Sequence, residues 1–414
     1  MKIVVMKFGG SSVANAEKIK HVAGRVIARK HDGYRPVVVV SAPGDMTDDL
    51  LALSRGVSEE PDERELDMLL ATGEQASIAL LCMALKDQGQ DAISLTGPQA
   101  GIFADTDHTR ARITHIQPKK VLAELAKGKI VVVAGFQGLN PNEDITTLGR
   151  GGSDLTAIAL AASLKAAVCE VYTDVEGVFT TDPRVVADAR KLSEISYDEM
   201  LELAGSGAQV MQGRSVEVAK KFNVAFEVRS TFSDAPGTRV HQEVARMEDV
   251  VVAGIAFDRN QAKVSLTDVP DRPGIAADIF GALAKANVNV DMIIQSTARD
   301  GLNDISFTVS QGDLTKTLKA LEPVKTLLQA RELLQESNVG KVAVVGVGMR
   351  SHPGVAAKMF KVLAEKGINI QMISTSEIKI SCVVAKDQID AAVRALHDAF
   401  ELSKSVKEKT KAKK

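Results

Sequence analysis

Cysteine is scarce in this chain: three residues, Cys82, Cys169 and Cys382, in a sequence of 414. They lie far apart, form no Cys-x-x-Cys pair and leave an odd count, which excludes a disulfide framework and points to reduced, small hydrophobic residues in a reducing compartment. The seven histidines show no metal-ligand spacing, so no protein-bound metal is expected. Charge of one sign is missing too. A formal net charge of −2 argues against nucleic acid or a membrane surface as a partner. No run reaches the roughly 20 apolar residues of a membrane helix. The apolar N-terminal run Ile3–Met6 is flanked by Lys2 and Lys7 and enters a glycine turn, unlike a signal peptide, so a cytoplasmic location is expected. The basic stretch at residues 404–414 reads as a solvated terminus, with 406–414 disordered.

At about 150 residues per domain, two or three domains are expected. The first ~245 residues alternate short apolar runs (Ile3–Lys7, Val37–Ser41, Ile130–Gly135, Glu170–Thr173, Ala225–Arg229) with helical patterns (Ala16–Ala28, Asp67–Lys86, Pro118–Ala126, Leu155–Ala162, Tyr197–Leu203). Such alternation predicts a three-layer α/β/α domain on a mainly parallel sheet, with ligands beyond the carboxyl ends of its strands. From about residue 263 an internal repeat appears at an offset of 80 residues: Gly274–Ile294 matches Gly354–Ser374 in its Gly, Ala-Ala, Phe, Leu-Ala, Asn and Met-Ile positions. Each copy follows an apolar strand, Ala262–Leu266 or Val342–Val345, giving two small α+β units whose free sheet edges favour a homo-oligomer. The boundaries so read are 1–245, a linker with the first regulatory strand at 246–262, and units at 263–338 and 339–405.

Four stretches can carry chemistry. Lys7-Phe8-Gly9-Gly10-Ser11-Ser12 follows a strand and precedes a helix, so backbone N–H groups, a helix dipole and the Lys7 charge could meet a phosphate chain; the stretch lacks the Gly-Lys-Ser/Thr that closes a Walker loop. In Thr146–Asp154, Arg150 stands between glycines, where its planar fork can take a carboxylate; Ser153 and Asp154 could instead be helix N-caps. Tyr172–Arg184 offers hydroxyls, carboxylates and a guanidinium to a nucleotide, or is a surface loop. Glu74 sits in an otherwise apolar helical stretch, where it needs a partner such as an ammonium, or solvent.

Together KFGGSS (7–12), SAPGDMTDDL (41–50), LLATGEQAS (69–77), VAGFQG (133–138), TTLGRGGSD (146–154) and YTDVEGVFTTDPR (172–184) resemble the amino-acid kinase family, and its aspartate kinases in particular. The repeated half resembles a tandem pair of ACT-type, ferredoxin-like regulatory domains. The resemblance implies transfer of the ATP γ-phosphoryl group to the β-carboxylate of L-aspartate, giving 4-phospho-L-aspartate at the first step of lysine, threonine and methionine biosynthesis. It implies Lys7 and Asp154 as the catalytic pair. Lys7, Phe8, Gly9, Gly10, Ser11, Ser153, Thr173, Asp174, Phe179, Asp182 and Arg184 would bind ATP, with Mg²⁺ carried by the nucleotide. Ser41, Thr47, Glu74, Arg150, Gly151, Gly152 and Ser153 would bind aspartate, Glu74 taking the ammonium and Arg150 the α-carboxylate. Phe179 stands where many relatives have Tyr, and Gln209 where they often have an ATP-holding Lys.

By the same resemblance the ACT pair would bind lysine and threonine as feedback inhibitors. Asp271, Asp291, Ser376 and Glu377 would suit lysine, and Gln295, Ala356, Asn369 and Ile370 threonine, with Gly274, Asn289 and Val355 completing the pockets. Met247 marks an internal start for a regulatory-only subunit in some relatives. Two alternatives stay open: another carboxylate kinase of the family, and a non-catalytic amino-acid sensor.

Overall fold

The computed structural model describes residues 2–208, 210–242, 251–350 and 352–404, the side chain of residue 350 excepted. Gln209, Met247 and the basic tail lie outside the described residues. Two compact units emerge, one of residues 2–178, 191–204 and 210–242, the other of 179–190, 205–208 and 251–404.

The first unit contains strands β1 (Ile3–Phe8), β2 (Arg35–Val40), β3 (Ala92–Leu95), β4 (Ile102–Ala104), β5 (Ile113–Ile116), β6 (Ile130–Ala134), β7 (Gln137–Leu139), β8 (Ile145–Thr147), β9 (Val168–Thr173), β10 (Glu194–Ser196), β11 (Phe226–Ser230) and β12 (Thr238–His241). Its helices are α1 (Ala16–His31), α2 (Met46–Val57), α3 (Glu63–Asp87), α4 (Lys119–Ala126), α5 (Gly152–Leu164), α6 (Tyr197–Gly205) and α7 (Gly213–Lys221). Eight strands form one sheet in the order β10-β12-β11-β9-β1-β2-β6-β3, parallel except that β12 runs against β11 and carries β10 with it. A four-stranded sheet, β5-β4-β7-β8, stands beside it.

Alternation along β1 sets the layers. Val4, Met6 and Phe8 pack with Ile19, Val22 and Val26 of α1 and Ile78, Leu81 and Leu85 of α3. Lys7 points the other way, to α5, through Asp154. Both faces being covered, the central strands are valine-rich and buried throughout, each fully buried valine contributing roughly 1.5–3 kcal/mol. Because β1 pairs with β2 on one side and β9 on the other, the chain's direction of travel reverses at its carboxyl end, where an α/β sheet opens a crevice.

By length and composition alone α3, with 25 residues, could cross a membrane. It is a core helix, as the sequence led one to expect, and it carries the buried acids Asp67 and Glu74. The three cysteines are free and buried, their thiols pushed up by burial, to about 11 for Cys82 and about 12 for Cys382.

The second unit contains β13 (Gly254–Pro270), α8 (Ile275–Lys285), β14 (Val290–Gln295), β15 (Leu302–Ser310), α9 (Leu314–Leu328), β16 (Glu332–Val345), α10 (Val355–Glu365), β17 (Met372–Thr375), β18 (Lys379–Ala385) and α11 (Ile389–Ala399), on a sheet ordered β14-β15-β13-β16-β18-β17. The repeat has a backbone signature: Gly274 and Gly354, both in left-handed conformations (φ 101° and 100°), start α8 and α10. The long strands β13 and β16 pair along their lengths, with register shifts near Gln261. Residues 254–258, read from sequence as lying ahead of the first unit, pair instead with residues 341–345, and Ile255 belongs to the second hydrophobic core with Val342 and Val344. The first core begins at Ala262.

Candidate active site

The crevice beyond β1 is a cleft of about 350 Å³, within the usual range of small-molecule sites. Lys7, Ser41, Thr47, Glu74, Arg150, Gly151, Gly152, Ser153 and Asp154 all line it, so the residue-7 amine and the residue-150 guanidinium share one cavity. A larger hollow of about 530 Å³ lies against α1, but its guanidiniums are engaged already, Arg25 with Asp234, and Arg29 and Arg229 with buried Glu170.

Lys7 is buried at the end of β1 with its Nζ 2.6 Å from Asp154 Oδ1. Phe8 is buried and stacks on Tyr172, ring centroids 4.6 Å apart, so only its backbone can serve a ligand. The chain then turns: Gly10–Ser12 form a short 3-10 turn in which Ser12 N–H donates to Gly9 O and Val13 N–H to Gly10 O. A Cβ on Gly10 would stand 2.7 Å from the Ala42 carbonyl oxygen, so only glycine lets the two loops touch. The helix α1 starts at Ala16, as its sequence pattern suggested, but its amides are not all free for a phosphate: the Asn15 side chain caps it, accepting the Lys18 N–H at 3.0 Å.

The second glycine turn differs. Gly151 is the N-cap of α5 in the left-handed region (φ 69°), and no side chain caps it. Ser153 and Asp154 lie within the first helical turn, which rules out the N-cap reading. A Cβ on Gly151 would collide with Gln212 at 1.9 Å, and one on Gly135 with Ser153 Oγ at 2.6 Å, so α5 can approach the end of β6 only over glycine. Its N-terminal N–H groups and positive dipole end face the cleft. Arg150 is exposed beside them and makes no ion pair with a described residue.

The opposite wall is a stripe of α3. Leu66, Leu70 and Glu74 recur every four residues and line the cleft. Glu74 is 3 % exposed; its Oε1 accepts the Ala42 N–H at 3.0 Å, while Oε2 is buried without a hydrogen bond. Burial pushes its carboxyl up to about 7 against the favourable backbone N–H groups of Ala42 and of Glu74 itself, so an arriving ammonium would restore the ionised form.

Thr173 and Asp174, hydrogen-bonded to each other at 3.0 Å, end β9 in the first unit, while Phe179, Asp182 and Arg184 belong to the second. Asp182 takes Arg184 in a fork, which holds its carboxyl below the usual carboxylate range. Among the residues expected to meet effectors, Asp291 is ion-paired with buried Lys341, Asp271 accepts from Asn303 Nδ2 at 3.1 Å, and Val355 packs in the second core. Asn289, Gln295, Asn369, Ser376 and Glu377 are exposed, and Ala356 and Ile370 half-buried.

Sequence reasoning missed Asp67, Thr109, Phe136 and Thr147. Thr109, Phe136 and Thr147 line the cleft, and Asp67 braces its wall. A signal for Asp67 existed: it stands seven residues before Glu74, so two acids share one face of an apolar helix.

The Amino acid kinase family model matches residues 2–230, and ACT domain models match 264–326 and 342–400. Aspartokinase 2 of Bacillus subtilis is 52% identical over 404 residues, covering 98% of this chain and 99% of its own. This chain belongs to the aspartokinases of the amino acid kinase family. As an aspartokinase it is an ATP-dependent kinase. Its fold is that of E. coli aspartokinase III in complex with aspartate and ADP (R-state), 27% identical, TM-score 0.82, covering 96% of this chain and 99% of that one. The same E. coli aspartokinase with lysine and aspartate (T-state) gives TM-score 0.74, covering 97% and 100%.

Proposed function

We propose that this aspartokinase transfers the γ-phosphoryl group of ATP to the β-carboxylate of L-aspartate, releasing 4-phospho-L-aspartate and ADP. The observation that carries the reading is the convergence of the Lys7–Asp154 pair, the open N-terminus of α5, Arg150 and Glu74 on one cleft. Glu74 and Arg150 present opposite charges, as an α-amino acid requires. The glycines at 10 and 151 let neighbouring segments pack against the two turns where a side chain would collide, which holds the cleft wall in place. The two aspartokinase III complexes, whose ligands are aspartate, ADP and lysine, agree in ligand class.

An ionised carboxylate is already a nucleophile at pH 7, so no general base is needed. The barrier is repulsion between anions: about 4 kcal/mol for one like-charge pair at ~4 Å and an effective dielectric near 20. Lys7, oriented by Asp154, places positive charge where the phosphoryl group passes, and the α5 amides spread it over the equatorial oxygens. Mg²⁺ held by the nucleotide's own phosphates supplies further neutralisation. Ser41 and Thr47 complete the aspartate pocket, and Phe8, Gly9, Ser11, Thr173 and Asp174 the nucleotide side.

In the same reading residues 1–245 form the catalytic domain, and the ACT pair binds lysine and threonine and mediates a homo-oligomer in the lysine, threonine and methionine pathway. ADP release measured with Mg-ATP and a panel of aspartate, glutamate and N-acetylglutamate tests the reading. Aspartate should be the preferred acceptor; absence of aspartate-dependent ADP release would refute it.

A further inference from the structure

On α3, one residue after Leu66 of the cleft stripe, Asp67 is fully buried, yet it faces no bulk cation. Its carboxylate instead gathers donors from two distant segments. Both oxygens accept the Thr109 N–H, at 3.1 and 3.0 Å, His108 Nδ1 lies 2.7 Å from Oδ2, and the Thr147 hydroxyl donates a short bond to Oδ1. Burying a carboxylate is costly unless its oxygens find donors, and Asp67 has them on both, unlike Glu74, whose Oε2 is left without one.

The bonds end on the cleft wall. Thr109 and Thr147 both line the cavity that holds Glu74 and Arg150. Thr109 has φ 64°, a left-handed conformation that a β-branched residue rarely adopts. Its carbonyl oxygen lies so near Gly149 (φ 74°), the residue before Arg150, that a Cβ there would be 3.2 Å away. The Ala111 N–H zips the same loop to Thr147 O at 2.9 Å, and Arg214 holds the far side through Leu148 O at 2.8 Å. A strained turn is thus latched by one buried carboxylate against the hinge that carries the carboxylate-binding arginine. Strain of this kind persists only where surrounding structure imposes it.

We propose that Asp67 is a positioning residue for the acceptor: through Thr109 and Thr147 it fixes the wall that sets the depth of the amino-acid end of the cleft, and so favours aspartate over the one-methylene-longer glutamate. This rests on the aspartate kinase reading. Wild-type ADP release with aspartate is therefore measured first, because its absence refutes that reading whatever Asp67 does.

The test is steady-state kinetics of Asp67→Asn with the melting temperature recorded alongside. The KM for aspartate should rise about tenfold or more, the KM for ATP should stay within about twofold, and the aspartate-to-glutamate ratio of kcat/KM should fall. Adding Thr109→Gly, which adopts positive φ without the latch, should recover most of the aspartate KM. An unchanged aspartate KM, a parallel rise in both KM values, or no recovery in the double variant would overturn the proposal. Should Asp67→Asn not fold, Thr147→Val removes one donor only: a rise confined to the aspartate KM supports the latch, and any other pattern rejects it.

Discussion

The first glycine turn, after β1, closes on itself as a 3-10 turn, and the helix behind it is capped by Asn15. The second, ahead of α5, ends in a left-handed Gly151 with no side-chain cap and leaves its helix N-terminus open to the cleft. Similar glycine-rich sequences thus build different devices. One buries a point charge, Lys7, beside a hydrogen-bonded turn; the other exposes a dipole end and a guanidinium. In the proposed reaction Lys7 meets the phosphoryl group alone, whereas the second turn offers its amides to the phosphoryl group and Arg150 to the amino acid, so substitutions of Lys7 and Arg150 should separate kcat from KM.

Lys7→Met should have the largest effect, lowering kcat about 100-fold or more in steady-state assays. Gly10→Ala should follow, with kcat/KM for ATP down about 30-fold, because its Cβ meets backbone oxygens of Ala42 and Gly44 that cannot swing aside. Arg150→Ala should raise the KM for aspartate about tenfold while kcat stays within a few-fold; the reverse pattern would exchange the roles of the two turns.

Glu74 sharpens the contrast through pH. Burial pushes its carboxyl from the ordinary 4.5 to about 7, so below that pH an incoming ammonium must expel a proton. The KM for aspartate should climb by up to about tenfold per pH unit as pH falls below 7, and Glu74→Gln should flatten that slope. In the free enzyme the same raised group binds more protons folded than unfolded between 4.5 and about 7, so it costs stability as pH rises through that window. The smallest effect belongs to Asn15→Ala. Losing the α1 cap should cost ~1 kcal/mol by thermal melting and leave both KM values unchanged.

Sequence pattern reached β1, β2 and β6 because near-continuous apolar runs are required when both sheet faces are covered, and it reached β9 and β11 although charged residues interrupt them. It missed β3, β4, β5, β7, β8, β10 and β12, which at three or four residues are too short to show a period. It shortened β13 to Ala262–Leu266 because the polar residues at 258–261 interrupt the apolar run, where the strand shifts register yet continues. Within the cleft, Lys7, Glu74, Arg150 and Asp154 were legible since charge among glycines or apolar residues is conspicuous locally. Asp67 showed only as a second acid on the Glu74 face of the helix; its contact with Thr109 across 42 residues, and the Thr109 backbone angle, are announced by no residue type.

If fixed charges alone carry the transfer, no group gives or takes a proton in the step itself. The most direct measurement is therefore kcat at saturating aspartate and Mg-ATP across about pH 6.5 to 9. A level profile, within about twofold, is the expected result. A kcat that rises about tenfold per pH unit over part of that range would reveal a general base and contradict transfer by charge neutralisation.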